Sequence, residues 1–329
     1  MKKLIYFAFI LTLLSCQKND VQLSKDVQRE QFMVKVNNYC SNFKEKQRSK
    51  AVLKGTRAWD WSKVVCVATA DFLGAGAGIG ATKEIAAAVG VATGGTGGAV
   101  VVGIGALVGS AGSSYSAHAC WPNSLRKFPP VDIKPSILRA SDCLEGVQYC
   151  SYEDMFSNDL KPFSNSLKSN TALSSVPKDN DLLASLGKLH NMTLQHLVEF
   201  DPPKIPHPDN AKYTPLIESR YFNLLQYDLQ RIVYECTWDG NFDYNKYLEI
   251  CLQSEFISED YMGILSQFTE LYQDYTTGLS DVNEITDGFV EMVNSASHLS
   301  ESEKENLYAA FSVAVESPSF WQKYFEINP

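Results

Sequence analysis

Residues 70–80 read ADFLGAGAGIG and residues 90–109 read GVATGGTGGAVVVGIGALVG. Thirteen of the chain's twenty glycines fall between Gly74 and Gly112, and no Asp, Glu, Lys or Arg occurs between Ile85 and Ala117. Small residues recur four apart: Ala70, Gly74 and Gly78, then Gly90, Gly94 and Gly98, then Gly105 and Gly109. On a helix that spacing makes a flat groove where a second backbone can approach closely. Glycine costs a helix about 1 kcal/mol relative to alanine. So many glycines therefore require tight helix-on-helix packing or a lipid environment in return.

The block has a centre. Thr93-Gly94-Gly95-Thr96-Gly97-Gly98 is its best turn, and Cys66 and Cys120, with Trp61 and Trp121, flank it symmetrically. The pattern predicts an antiparallel helical hairpin over residues 61–121. Lys83 and Glu84 interrupt the first arm, so a helix end near Thr82 with a long connection is expected. Asp71 lies inside the apolar arm and would be costly in lipid. The repeat resembles the glycine-zipper segments of bacteriocin-like peptides and of glycine-zipper lipoproteins. That resemblance implies a membrane-active or self-associating hairpin. The charges at Asp71, Lys83 and Glu84 equally fit a hairpin packed inside a soluble helical domain.

Working toward the N-terminus, Lys2 and Lys3 precede an apolar run, Leu4 to Leu14, that is too short for a permanent span. Leu13-Leu14-Ser15-Cys16 resembles the lipobox of bacterial lipoproteins, which implies cleavage before Cys16 and acylation of its thiol. Multiple acyl chains give the stable attachment that one chain does not. The following Gln17-Lys18-Asn19-Asp20 resembles the polar-acidic tag of surface-displayed Bacteroidota lipoproteins. The expected location is the outer membrane, with the cell surface favoured over the periplasmic face.

The net charge of −9 is unevenly spread. Residues 17–63 carry eleven Lys/Arg against five Asp/Glu, whereas residues 180–329 carry eight against twenty-four. An acidic body argues against nucleic-acid binding. The basic arm suits either anionic head groups or water. Helical periodicity marks Phe32, Val36, Tyr39 and Phe43 in that arm. Prolines at 122, 129, 130, 135, 162 and 177 make residues 122–180 an irregular linker. From Asp181 onward the pattern is helical again. Ser258 opens one helix, Ser280 or Asp281 another, and the Ser300-x-x-Glu303 capping box opens the last, which Pro318 is expected to stop.

The chain thus divides into a signal peptide (1–15), a basic helical arm (16–60), the hairpin (61–121), the linker (122–180) and an acidic helical domain (181–329), all of one all-α class. An oxidising compartment permits disulfides, and Cys66 with Cys120, Cys143 with Cys150, and Cys236 with Cys251 are the pairs suggested by position. Connectivity does not follow from sequence. No Cys-x-x-Cys, His-x-x-x-His or Gly-x-Ser-x-Gly pattern occurs, and His190 and His196 share no helix face, so neither a metal, a cofactor nor a catalytic motif is expected. The leading expectation is a non-enzymatic, membrane-anchored lipoprotein acting through the hairpin. The alternative is a soluble binding module whose acidic helices dock a protein or glycan.

Overall fold

The computed structural model describes residues 24–51, 59–93, 96–119, 186–191, 194, 229–238 and 241–327. The signal segment, Cys16, Gly94, Cys120, Cys143, Cys150 and the linker 122–180 lie outside the described residues. The described fold is all-α. Its helices are α1 (Lys25–Ala51), α2 (Trp59–Thr93), α3 (Thr96–Ala119), α4 (Tyr244–Gln253), α5 (Glu259–Tyr275), α6 (Leu279–Ser295) and α7 (Glu301–Ile327). Helical segments at 186–191 and 229–236 add to them. A two-residue antiparallel ribbon, β1 (Thr237–Trp238) with β2 (Asn241–Phe242), turns the chain into α4.

Among the described residues, α2 is the helix that packs against both α3 and the C-terminal helices. Phe72 of α2 meets Phe268 and Tyr272 of α5 edge-on, at 5.2 and 5.0 Å between ring centroids. Phe268 in turn contacts Phe289 of α6 at 5.2 Å and Phe311 of α7 at 4.8 Å. Each fully buried aromatic contributes roughly 1.5–3 kcal/mol of burial free energy, so one cluster ties α2 to all three C-terminal helices. Trp61 at the start of α2 donates its indole N–H to the Thr276 carbonyl at 3.0 Å, just past the end of α5.

Local signals set most helix starts. Ser258 caps α5 by accepting from the Tyr261 N–H. Ser300 and Glu303 form the reciprocal capping box before α7. α6 begins at Leu279, one residue earlier than the first expected start, and Asp281 reaches back to accept from the Thr277 N–H and hydroxyl.

Two boundaries differ from expectation. α2 does not end near Thr82: it runs to Thr93, because Lys83 points to solvent and its charge costs the helix nothing. α7 does not stop at Pro318 but continues to Ile327. Proline lacks the N–H that would serve the carbonyl four residues back. That carbonyl, Ala314 O, accepts instead from the Tyr272 hydroxyl at 2.8 Å. A tertiary donor thus replaces the lost helical one.

α1 straps the outside of α5 and α6. Phe32, Val36, Cys40, Phe43 and Gln47 are its buried stripe, with Tyr39 half-buried beside them. Its cations face the acidic body: Arg29 Nε lies 2.5 Å from Asp260, Lys46 Nζ 2.5 Å from Glu284, and Lys44 pairs with Glu270. The charge asymmetry along the sequence is therefore complementary within the fold.

Candidate functional site: a close-packed helix pair around a buried carboxylate

α2 and α3 form the most extensive helix pair among the described residues. Their contact is backbone on backbone. A Cβ at Gly78 would press into the Gly105 carbonyl, and one at Gly109 into the Gly74 carbonyl, closer than the 3.0 Å that real Cβ atoms keep. The pairing of 74 with 109 and 78 with 105 is antiparallel. α2 and α3 thus pack antiparallel with Gly74, Gly78, Gly105 and Gly109 at the close approach, and Ala70 is buried one turn earlier. Gly90 lies within α2 and Gly98 within α3.

A second glycine face was not anticipated. Gly76 lies under the Tyr261 ring of α5, and Gly80 under the Phe256 carbonyl ahead of it. Alternation of glycine at 74, 76, 78 and 80 was the signal for it. Positions 74 and 78 share one face, and 76 and 80 share the face roughly 200° away. α2 is thin on both sides, which lets it sit between α3 and the body.

Two hydroxyls of α2 close on their own helix. Thr69 donates to Val65 O at 2.8 Å, and Thr82 lies 3.0 Å from both Gly78 O and Ile79 O. Asp71 has no such local outlet. It is fully buried, and four groups from three other elements converge on it. Ser114 of α3 bonds to Oδ1. His190 Nε2 lies 3.0 Å, Ser317 Oγ 2.5 Å and Trp321 Nε1 2.7 Å from Oδ2. Burial first, and the Asp71 charge second, push the nearby Tyr272 hydroxyl well above its ordinary pKa.

His190 Nδ1 lies 2.9 Å from Ser110 Oγ, so Ser110, His190 and Asp71 stand in the order hydroxyl, imidazole, carboxylate. That order serves nucleophilic catalysis where a substrate carbonyl can reach the hydroxyl. Here all three side chains are fully buried, and Ser110 Oγ also lies 3.2 Å from the Leu107 carbonyl. The arrangement is a buried chain of hydrogen bonds that joins α3, the 186–191 segment and α2. In the sequence Asp71 stands out only as a charge inside an apolar arm and His190 only as a histidine that shares no helix face with His196; nothing in linear spacing links them.

Of the expected disulfides, Cys236 with Cys251 is not formed: both are free, buried thiols. The Cys251 thiol lies beside the Tyr247 hydroxyl, one helical turn away, and not bonded to Cys236. Burial pushes the Cys236 thiol up to about 12 and the Cys251 thiol higher still, so neither ionises near neutrality. Cys66 is buried in α2, and its expected partner Cys120 lies outside the described residues.

The chain matches no protein-family model, no curated protein and no solved structure.

Proposed function

We propose that this chain is an exported, lipid-anchored, non-enzymatic protein that stores a glycine-zipped hairpin in its helical body and acts through it, by membrane association or self-assembly. The observation that supports this reading is the backbone contact at Gly74, Gly78, Gly105 and Gly109. Helix pairs held by close van der Waals approach need no water to drive them together, so such a seam persists in lipid. Among the described residues, one helix is long and apolar enough to cross a membrane, Trp61–Lys83, and it belongs to this hairpin. It is largely buried in the body, so action on a membrane requires release.

The proposed acyl anchor at Cys16 lies nine residues before Lys25, where α1 begins. α1 would thereby hold the body close to the lipid surface. The second reading, an acidic docking module, is disfavoured because α1 already occupies Asp260, Glu270 and Glu284.

The test uses the full processed chain on dye-loaded vesicles of phosphatidylethanolamine and phosphatidylglycerol, together with sedimentation. Dye release or oligomer formation by the wild type, lost in Gly74→Leu, Gly78→Leu and Gly105→Leu, is expected. A wild-type chain that stays monomeric and leaves the vesicles intact refutes the reading.

A further inference from the structure

Asp71 sits close to the middle of Trp61–Lys83, the stretch long and apolar enough to span a bilayer. A carboxylate at that depth is costly in hydrocarbon, where nothing replaces its hydration. In the body its compensation comes from two sides. Oδ1 is met from within the hairpin, by Ser114 of α3. Oδ2 is met from outside it, by His190, Ser317 and Trp321.

The outer donors form one unit. The segment 186–191 is fixed to α7 by the Gly187 N–H donating to Ser312 Oγ at 3.0 Å and by Asn191 Nδ2 donating to the Glu316 carbonyl at 2.8 Å. Gly187 is pressed so closely on the Ser312 carbonyl that no Cβ fits there. His190 therefore moves with Ser317 and Trp321, and the three donors are held together against one oxygen. Opening the hairpin from the body breaks all three bonds, and that between His190 Nδ1 and Ser110, and leaves the carboxylate with the Ser114 contact.

We infer that Asp71 is a latch: the three outer donors on its Oδ2 keep the α2–α3 hairpin closed against α7, and their loss frees the hairpin as a unit. The inference rests on the proposed role of the hairpin. It adds that the same group which would oppose entry into lipid is the one that commits the hairpin to the body.

Trp321→Phe and Ser317→Ala remove donors and leave the hairpin sequence untouched; Asp71→Leu removes the acceptor. Phe311→Leu, a core change in α7 away from the carboxylate, is the control for general loosening. The full processed chain is followed by amide hydrogen exchange over residues 64–82 without lipid, and by dye release from phosphatidylethanolamine–phosphatidylglycerol vesicles. A hydrogen bond to a charged group is worth about tenfold or more in an opening equilibrium. Exchange over 64–82 is therefore expected to quicken about tenfold in Trp321→Phe and Ser317→Ala, while the α5 and α6 amides keep their wild-type rates. Unchanged exchange, or a uniform rise across all helices like that of Phe311→Leu, overturns the latch. Selective exchange without faster dye release upholds the latch and overturns the membrane role. Should Asp71→Leu fail to fold, the two α7 variants decide the matter.

Discussion

The indole N–H of Trp321 reaches the Asp71 carboxylate at 2.7 Å across 250 residues of chain, joining the last helix to the first arm of the hairpin. The contact gives the C-terminal aromatic patch a role beyond packing. Trp321 is also stacked on Phe325 at 5.5 Å and is almost fully buried, so its ring is fixed before it donates.

Replacing Asp71 by Asn should be among the costliest single changes in the protein. Asparagine keeps the shape but turns an NH2 group toward at least one existing donor and removes the charge that faces His190. Leaving a buried hydrogen-bonding group unsatisfied costs about 1–3 kcal/mol, and Asn sets several donors at odds at once. Urea unfolding followed by circular dichroism checks this, and a loss under about 1 kcal/mol would mean that the cluster contributes little.

Glycine substitutions should split by what faces them. Gly78→Ala forces a methyl into the Gly105 carbonyl and should destabilise by about 1–3 kcal/mol. Gly263 lies in α5 with nothing nearer its Cβ position than Met33 Cε at 3.8 Å. Gly263→Ala should therefore stabilise by about 0.5–1 kcal/mol through helix propensity alone. Thermal unfolding of both variants tests the contrast in sign, which composition does not supply.

The strap should be held mainly by its apolar stripe, with ion pairs contributing little. Lys44 and Glu270 are both partly exposed, so a double-mutant cycle with Lys44→Met and Glu270→Gln should return a coupling of about 0.2–1 kcal/mol that shrinks in high salt. Partial burial works against the Lys44 charge, but Glu270 outweighs it and raises the pKa. A raised lysine pKa stabilises the fold at neutral pH, and this contribution should disappear only as pH rises through the folded-state value above 10.5.

His298 should give the fold an acid sensitivity. Its ring packs 4.9 Å from Phe32 of the strap, and its buried Nδ1 has no hydrogen-bond partner among the described residues. Burial lowers its pKa from 6.5, and the opposing pull of Asp260 does not restore it. The unfolded chain therefore binds a proton first as pH falls, and stability should be full above about 6.5 and decline below it. His298→Phe keeps the aromatic contact and removes the titration. Calorimetric melting from pH 7 to pH 5 should show a smaller drop for the variant; parallel curves would rule out this histidine as the source.

Elements whose cause is local were legible in advance. Gly74, Gly78, Gly105 and Gly109, four apart in the sequence, are where α2 and α3 approach most closely, and the Ser300–Glu303 box placed the start of α7. Where a distant partner intervened, local rules failed. Pro318 should end a helix by every nearest-neighbour argument, yet the Tyr272 hydroxyl satisfies the carbonyl it orphans. Lys83 reads as an interruption because sequence does not reveal which side of a helix meets water, and in the fold it is exposed.

By itself, the sequence determined the all-α class and the contrast in charge between basic arm and acidic body, since each is written in spacings of three and four residues or in local composition. Only the tertiary structure decided that the arm's cations meet the body's own acids, and that Asp71 is an anchoring point. The partners of that carboxylate lie 43, 119, 246 and 250 residues away. Helical periodicity repeats over a few residues, whereas a buried charge is satisfied by whichever donors packing brings within about 3 Å, and no short-range pattern encodes that convergence.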